Sequence, residues 1–320
     1  MSPVVIAIDL GATKTLVGVG RTSGELLARL QFPTPIQGSP ELAVDEMVLK
    51  IRQLLAENNI ADDQVSGVAV GAPGPISYPQ GIIYDSPNLG WQKFALRQEL
   101  EQRLGWPVVV EHDVAMAALG EFHFGQMKRY PNLLYVTLST GVGAGIIING
   151  ELYRGSIGGA GEIGHMVIDP HGRLCNCGRR GCTEAIISGT ALAIQARELV
   201  EQGRATYLQS LAKDGVITAK EIAIAAREGD SDACRLLAQF RENLQLILAN
   251  LVHIFNPDII VLGGGVVQGM RDLFFEGIEE EVRAQVFPMH RPGVKIEVTR
   301  LGGDIVLYGC LAAGGIWGFE

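Results

Sequence analysis

His165, Cys175, Cys177 and Cys182 bring one imidazole and three thiols into a single short stretch. Three thiolates and one imidazole complete a tetrahedral zinc shell of the closed, structural kind. The Cys-x-Cys step is tighter than the usual finger spacing, but Gly172, Gly178 and Gly181 supply the turns that such crowding needs. Cys175 and Cys177 are too close along the chain to make good disulfide partners, which favours a metal. Three free thiols near an unrelated histidine are the plain alternative. With every position of the shell taken by protein, the zinc would hold structure and perform no hydrolysis.

A second group lies at Asp9-Leu10-Gly11-Ala12-Thr13-Lys14. Glycine lets backbone N–H groups approach phosphate oxygens, lysine adds positive charge, and an acid beside phosphates is suited to Mg²⁺. No helix follows and the spacing is not that of the P-loop. Taken alone, the segment fits a hairpin with a polar tip at least as well. Two further glycine turns, Thr140-Gly141-Val142-Gly143 and Gly263-Gly264-Gly265, shift the balance toward a nucleotide. Asp113 follows an apolar strand and precedes a helix, a common place for a reactive group in an open α/β sheet and equally for a helix cap. Glu162 and Glu184 flank the cysteine-rich segment, and with Asn88 they could recognise hydroxyl groups.

Alternating strands and helices must carry these residues. Val4–Ile8 reads as a strand, Thr15–Gly20 as its hairpin partner and Glu25–Phe32 as a third strand. Ser39-Pro40 starts a helix reaching about Asn58. Val65–Val70 is a buried strand, Leu96–Leu104 a helix, and Val108–Val110 a strand leading to Glu111-His112-Asp113. The hairpin then repeats. Leu134–Leu138, a glycine turn over 139–145 and Ile146–Asn149 superpose on the first copy at an offset of 130, with Gly11 on Gly141 and Gly20 on Gly150. Two related lobes with a cleft between them are expected. Beyond Thr190 the chain is mostly helical, with helices from Ala219 to about Glu228 and from Asp230 or Ser231 toward Phe255, then a strand over Asp258–Leu262.

Composition limits the function. Apolar residues make up 47% of the 320, enough for a substantial core, and the net charge of −9 argues against a general nucleic-acid or anionic-membrane surface. No apolar run is long enough to span a bilayer. Asp9 and Lys14 interrupt the amino-terminal segment where a secretory signal would need its hydrophobic stretch. Five cysteines with three clustered suit a reducing cytoplasm and a metal.

These motifs resemble the sugar kinases of the repressor, open-reading-frame, kinase (ROK) family. Residues 9–14 are similar to its first phosphate motif and Leu138–Gly145 to its second, while Gly161-Glu162-Ile163-Gly164-His165 and Cys175–Glu184 match its signature. The resemblance runs from about Val4 to Gly315. It implies an α/β fold of the actin-like, hexokinase-like type, with two lobes closing over sugar and ATP. The small lobe would cover about 1–120, with a helix at about 303–320 returning to it, and the large lobe about 121–302 with the zinc loop at 165–184.

The resemblance also implies roles. Asp113 is similar to the family's catalytic base, and Asn88, Glu162, His165 and Glu184 match its sugar-binding positions. Asp9, Gly11, Thr13, Lys14, Thr140, Gly141, Gly143, Gly264 and Gly265 would bind ATP with Mg²⁺, and His165, Cys175, Cys177 and Cys182 a structural zinc. His112 stands where the family usually has asparagine, so it is assigned to the sugar as well, and it leaves the sugar open. Glucose phosphorylated at its 6-hydroxyl is the first expectation. N-acetylmannosamine, N-acetylglucosamine, mannose and fructose are alternatives, as is a phosphate donor other than ATP. A non-catalytic sugar-sensing regulator is the reading from another class; such members carry a helix-turn-helix segment before the first phosphate motif, and with three residues before Val4 and an acidic net charge it is the lesser expectation. Family members are often dimers or tetramers, so a homodimer or homotetramer is expected by analogy.

Overall fold

Every residue of Val4–Leu10 (β1) except Asp9 is buried, which marks a strand covered on both faces. The computed structural model describes residues 3–319 apart from Pro87, Gln126, Ala205, Lys213 and Asp214. After β1 come Lys14–Gly20 (β2) and Leu26–Pro33 (β3), then helix Pro40–Glu57 (α1). Val65–Ala72 (β4), the hairpin of Ile82–Ser86 (β5) and Trp91–Ala95 (β6), helix Leu96–Leu104 (α2), Val108–His112 (β7) and helix Asp113–Phe124 (α3) follow. The first sheet has the order β3-β2-β1-β4-β7. Its β1, β2 and β3 pair antiparallel, whereas β1, β4 and β7 run parallel. Parallel neighbours need crossovers, and α1 and α2 lie within them.

Ser39 stands at the start of α1 and Pro40 at its first position, where a missing N–H costs nothing. Ala43, Val44, Met47, Ile51, Leu54 and Leu55 recur at helical spacing and are buried together with Leu96, Leu100 and Leu104 of α2 and with Ile6 and Ile8 of β1. Each large side chain so buried contributes roughly 1.5–3 kcal/mol. β3 alternates between partly buried and exposed residues, as an edge strand should.

Leu133–Leu138 (β8), Val142–Ile148 (β9) and Glu151–Leu152 (β10) open the second sheet, whose order β10-β9-β8-β11-β12 repeats that of the first. Helices Glu184–Ile187 (α4), Gly189–Glu201 (α5), Thr206–Leu211 (α6), Ala219–Arg227 (α7) and Ser231–Phe255 (α8) precede Ile259–Gly263 (β11). Helices Gly265–Phe274 (α9) and Ile278–Gln285 (α10), strand Ile296–Val298 (β12) and helix Ile305–Ile316 (α11) complete the chain. Asp230 caps α8 by accepting from Asp232 and Ala233 N–H, and Asn256 ends it in the left-handed region with φ of 44°. The glycine turn expected over 139–145 is shorter than the sequence suggested. Strand pairing resumes at Val142, so Gly143 and Gly145 lie inside β9.

The chain divides into two units. One comprises Met1–Pro131, Gly145–Gly161 and Gly303–Glu320, and the other Asn132–Ala144 and Glu162–Gly302. Residue 120, where the sequence put the lobe boundary, lies inside α3. In the first unit α3 and α11 touch backbone to backbone. A methyl group on Gly309 would overlap the Met116 carbonyl oxygen, and one on Gly120 would press on Gly309 N and the Ile305 carbonyl. Gly309→Ala should therefore cost about 1–3 kcal/mol or more, read as a lower midpoint of urea unfolding. An unchanged midpoint would show that the helices can part without loss.

Candidate active site and metal centre

Asp9 is the penultimate residue of β1, and Asp113 opens α3 directly after β7. Parallel β1, β4 and β7 send their carboxyl ends to one edge, which is where an open α/β sheet places its chemistry. Gly71 on β4 makes the approach possible, because a methyl there would meet Asp113 Cα at 3.3 Å and collide with Val306 of α11. Part of the Asp9 side chain reaches the surface, but protein surrounds most of it. Burial first, and then the charges of Asp113 and Asp304 against the opposing pull of Lys14, raise its pKa to about 7. Carboxylate oxygens of this kind suit a hard divalent cation such as Mg²⁺, and the lysine beside them suits phosphate oxygens. Asp304, at the N-cap of α11, is the member that the sequence reading missed. An acid just before a carboxyl-terminal helix was its only signal.

Asp113 was expected to cap α3, but His112 holds the N-cap and Asp113 is the first helical residue. The Val114 N–H donates to Asp113 Oδ1 at 2.7 Å and to His112 Nδ1 at 3.3 Å, and those two acceptor atoms are 3.1 Å apart. The His112 ring fills space that a side chain at Gly74 would need. Asn88 is exposed in the turn between β5 and β6.

The Gly11–Lys14 turn is closed by Gly11 N–H donating to the Lys14 carbonyl at 3.1 Å. Thr34 braces it from β3's far end: its hydroxyl donates to the Gly11 carbonyl at 2.6 Å, so it must accept from the Thr15 hydroxyl at 2.8 Å. Thr13 and Lys14 remain exposed.

In the second unit, Gly264 has φ of 92° and stands against the Leu138 carbonyl, leaving no room for a side chain. Gly265 opens α9 within reach of Ser139, and Gly189 N–H, at the start of α5, donates to the Ser139 carbonyl at 2.8 Å. The Thr140–Gly141 turn thus sits between two helix N-termini, a setting that favours phosphate. Gly143 belongs to β9 instead. One N–H of this region is already engaged, since Val142 donates to Glu184 Oε2 at 3.0 Å.

The zinc ligands expected from sequence converge. One donor atom each from His165, Cys175, Cys177 and Cys182 lies within 4.8 Å of all the others. Cys177 Sγ and Cys182 Sγ are 3.6 Å apart, and Cys175 Sγ is 3.7 Å from His165 Nδ1. A tetrahedral zinc with ordinary bond lengths requires edges of about 3.6–3.8 Å, so the donor set fits. Nδ1 is the nitrogen that faces the metal position, which leaves Nε2 outside it. Cys175 N–H donates to the Arg179 carbonyl at 2.7 Å and Gly181 N–H to the Arg173 carbonyl at 2.8 Å, closing the loop. Gly181 has φ of 71°, and a side chain there would overlap the Asp169 carbonyl. The Arg179 backbone N–H pulls the Cys177 thiol down to about 6, while burial pushes Cys182 up to about 12. Metal binding must therefore expel protons from the more deeply set thiols. Glu162 precedes the short 3-10 turn Ile163–His165, and Glu184 opens α4 two residues after Cys182.

The ROK family model matches residues 5–312. A glucokinase from Halalkalibacterium halodurans is 34% identical over 306 residues, covering 95% of this chain and 92% of its own. A xylose repressor from Caldicellulosiruptor bescii is 32% identical over 309 residues, covering 96% of this chain and 77% of its own. The crystal structure of a ROK family glucokinase from Streptomyces griseus in complex with glucose and AMPPNP has a TM-score of 0.81 at 32% identity, covering 96% of this chain and 98% of that one.

The metal centre predicts roughly one zinc per chain by elemental analysis of purified protein, and loss of that zinc together with a lower melting temperature in Cys177→Ser. Protein purified without zinc would refute it. The acidic edge predicts a pH signature in metal-free buffer. A raised carboxyl pKa means that the folded state binds the extra proton, so Asp9 costs wild type stability as pH rises from about 4 to about 7. Asp9→Asn escapes that cost and should gain on wild type by up to about 4 kcal/mol across this window and nothing further above it. Parallel stability curves would refute the crowding.

Proposed function

Because the chain belongs to the ROK family, we propose that it is a sugar kinase, transferring phosphate from ATP to a hexose and most simply to the 6-hydroxyl of glucose. One observation carries this reading: Asp113, at the start of α3, stands with Asp9 at the carboxyl ends of parallel strands, near enough to raise the Asp9 pKa against the opposing charge of Lys14. Phosphoryl transfer needs in-line positioning and charge neutralisation more than covalent help. Asp113 accepts the proton of the attacking hydroxyl. Lys14, Thr13 and the N–H groups at Gly11, Thr140–Gly141 and Gly264–Gly265 bind phosphate oxygens. Asp9 would hold Mg²⁺ through water, and that ion neutralises phosphate charge when bound.

Asn88, His112, Glu162, His165 and Glu184 bind sugar hydroxyls in this reading. With Nδ1 turned to zinc, His165 keeps its proton on Nε2 and donates there, so the metal fixes which kind of hydrogen bond the sugar receives. Glu184 gives one oxygen to Val142 N–H and offers the other. His112 is larger than asparagine and can become charged, which keeps the other hexoses in play. A sugar-sensing regulator is the second reading, favoured by the likeness to a xylose repressor.

ADP release over a panel of hexoses tests the proposal. Wild type should turn over at least one of them, and Asp113→Asn should bind the same sugar yet lose about 10²–10⁴-fold in turnover. Background rates with every sugar would favour the regulator, and near-normal turnover in the variant would remove Asp113 from its role.

A further inference from the structure

Glu111 places a carboxylate at 3% exposure one residue before the end of β7. Removing such a group from water costs several kcal/mol unless charge and hydrogen bonds offset it. Both of its oxygens are used. Oε1 accepts from the backbone N–H of His112 at 2.9 Å, and Oε2 accepts from Arg154 Nε at 2.5 Å. Arg154 follows β10 in sequence, and its guanidinium packs over the rings of Tyr78 at 3.9 Å and Trp317 at 4.5 Å. Those rings meet edge to face, 5.9 Å between centroids. Arg154 Nη2 is buried without an acceptor among the described residues. Nε and the two aromatic faces therefore hold the side chain.

We infer that Arg154 and Glu111 form a positioning pair: through the His112 N–H they fix the peptide leading into Asp113 and so set the aim of that carboxylate in phosphoryl transfer. The second half of this inference rests on the kinase reading. His112 is extended, with φ of −60° and ψ of 135°, and helical geometry begins at the next residue. The backbone bends there, and the position of Asp113 depends on how firmly that bend is held. A side-chain acceptor on the His112 N–H supplies the hold, and an arginine packed against two rings keeps the acceptor in place. A misplacement of about 1 Å can cost about 10²-fold in rate. Both residues act through the backbone, so a defect in them should appear in turnover more than in sugar binding.

Arg154→Met, Arg154→Lys and Glu111→Gln, each checked for folding by thermal melting, test the pair with two readouts. The first is exchange of the His112 amide with solvent, followed by NMR. It should quicken at least about tenfold in Arg154→Met while the amides of Val108–Val110 keep their wild-type rates. Arg154→Lys, which retains charge but not the flat stacking fork, should fall between. Wild-type exchange at His112 in the folded variants would overturn the pair. The second readout is ADP release with glucose: kcat should drop about 10–100-fold with sugar KM moving less than about threefold. A kcat within about twofold of wild type in a folded Arg154→Met would overturn the role in transfer. If Arg154→Met does not fold, the two milder variants decide by the same measures. A wild type inactive on every hexose would count against the kinase reading, and the exchange rates would still judge the pair.

Discussion

Burial of Asp9 beside other carboxylates, where the parallel strands end, is the constraint around which the first unit is arranged. Asp9 comes from the end of β1, Asp113 from the first turn of α3 and Asp304 from the N-cap of α11. The two helical acids stand where unpaired backbone N–H groups favour negative charge. Asp9 stands on a strand and lacks that compensation; burial first, and then the neighbouring carboxylates, raise its pKa to about 7. Much of the surrounding structure serves to hold the three in place. Gly71 lets α3 and α11 come in close, Cys310 donates to the Ile8 carbonyl beside Asp9, and the Thr15–Thr34 hydroxyl pair steadies the neighbouring turn.

Local rules made much of the fold legible. The helix expected over Leu96–Leu104 is found with those bounds, α8 follows from helical periodicity and β1 from its continuous apolar run. The repeated hairpin is matched by two sheets of the same strand order. Glycine misled the reading at β9. Gly145 looked like a turn residue, but it sits in a strand because a side chain there would collide with the Val114 carbonyl and Ala118. The β5–β6 hairpin passed unnoticed, since short strands around Pro87-Asn88-Leu89-Gly90 resemble a loop. The turn residues Pro, Asn and Gly within 87–90 were the available signal, and Gly90 does take a positive φ. Thr34 and Arg154 act across long sequence separations, and no local pattern marks them.

The cysteine-rich segment shows the same limit from the other side. Donor identity was legible because so few chemistries use three thiols and an imidazole. The nitrogen that faces the metal was not, nor was the bond by which Glu184 ties α4 to the start of β9. That bond joins a residue beside the metal centre to the glycine turn flanked by α5 and α9. The second unit therefore joins its metal loop to that glycine turn through a carboxylate.

The contact of Gly120 with Gly309 has a bearing on how the protein is made. The helix that begins with Asp113 is seated on one that leaves the ribosome roughly 190 residues later, about 10–40 s at ordinary synthesis rates. Until then the first sheet lacks the cover that α11 gives to β1 and β4, and its apolar surface stays open to other chains. Nascent fragments that end before Ile305 should depend on chaperones, and the acidic edge can assemble only once Asp304 has been made.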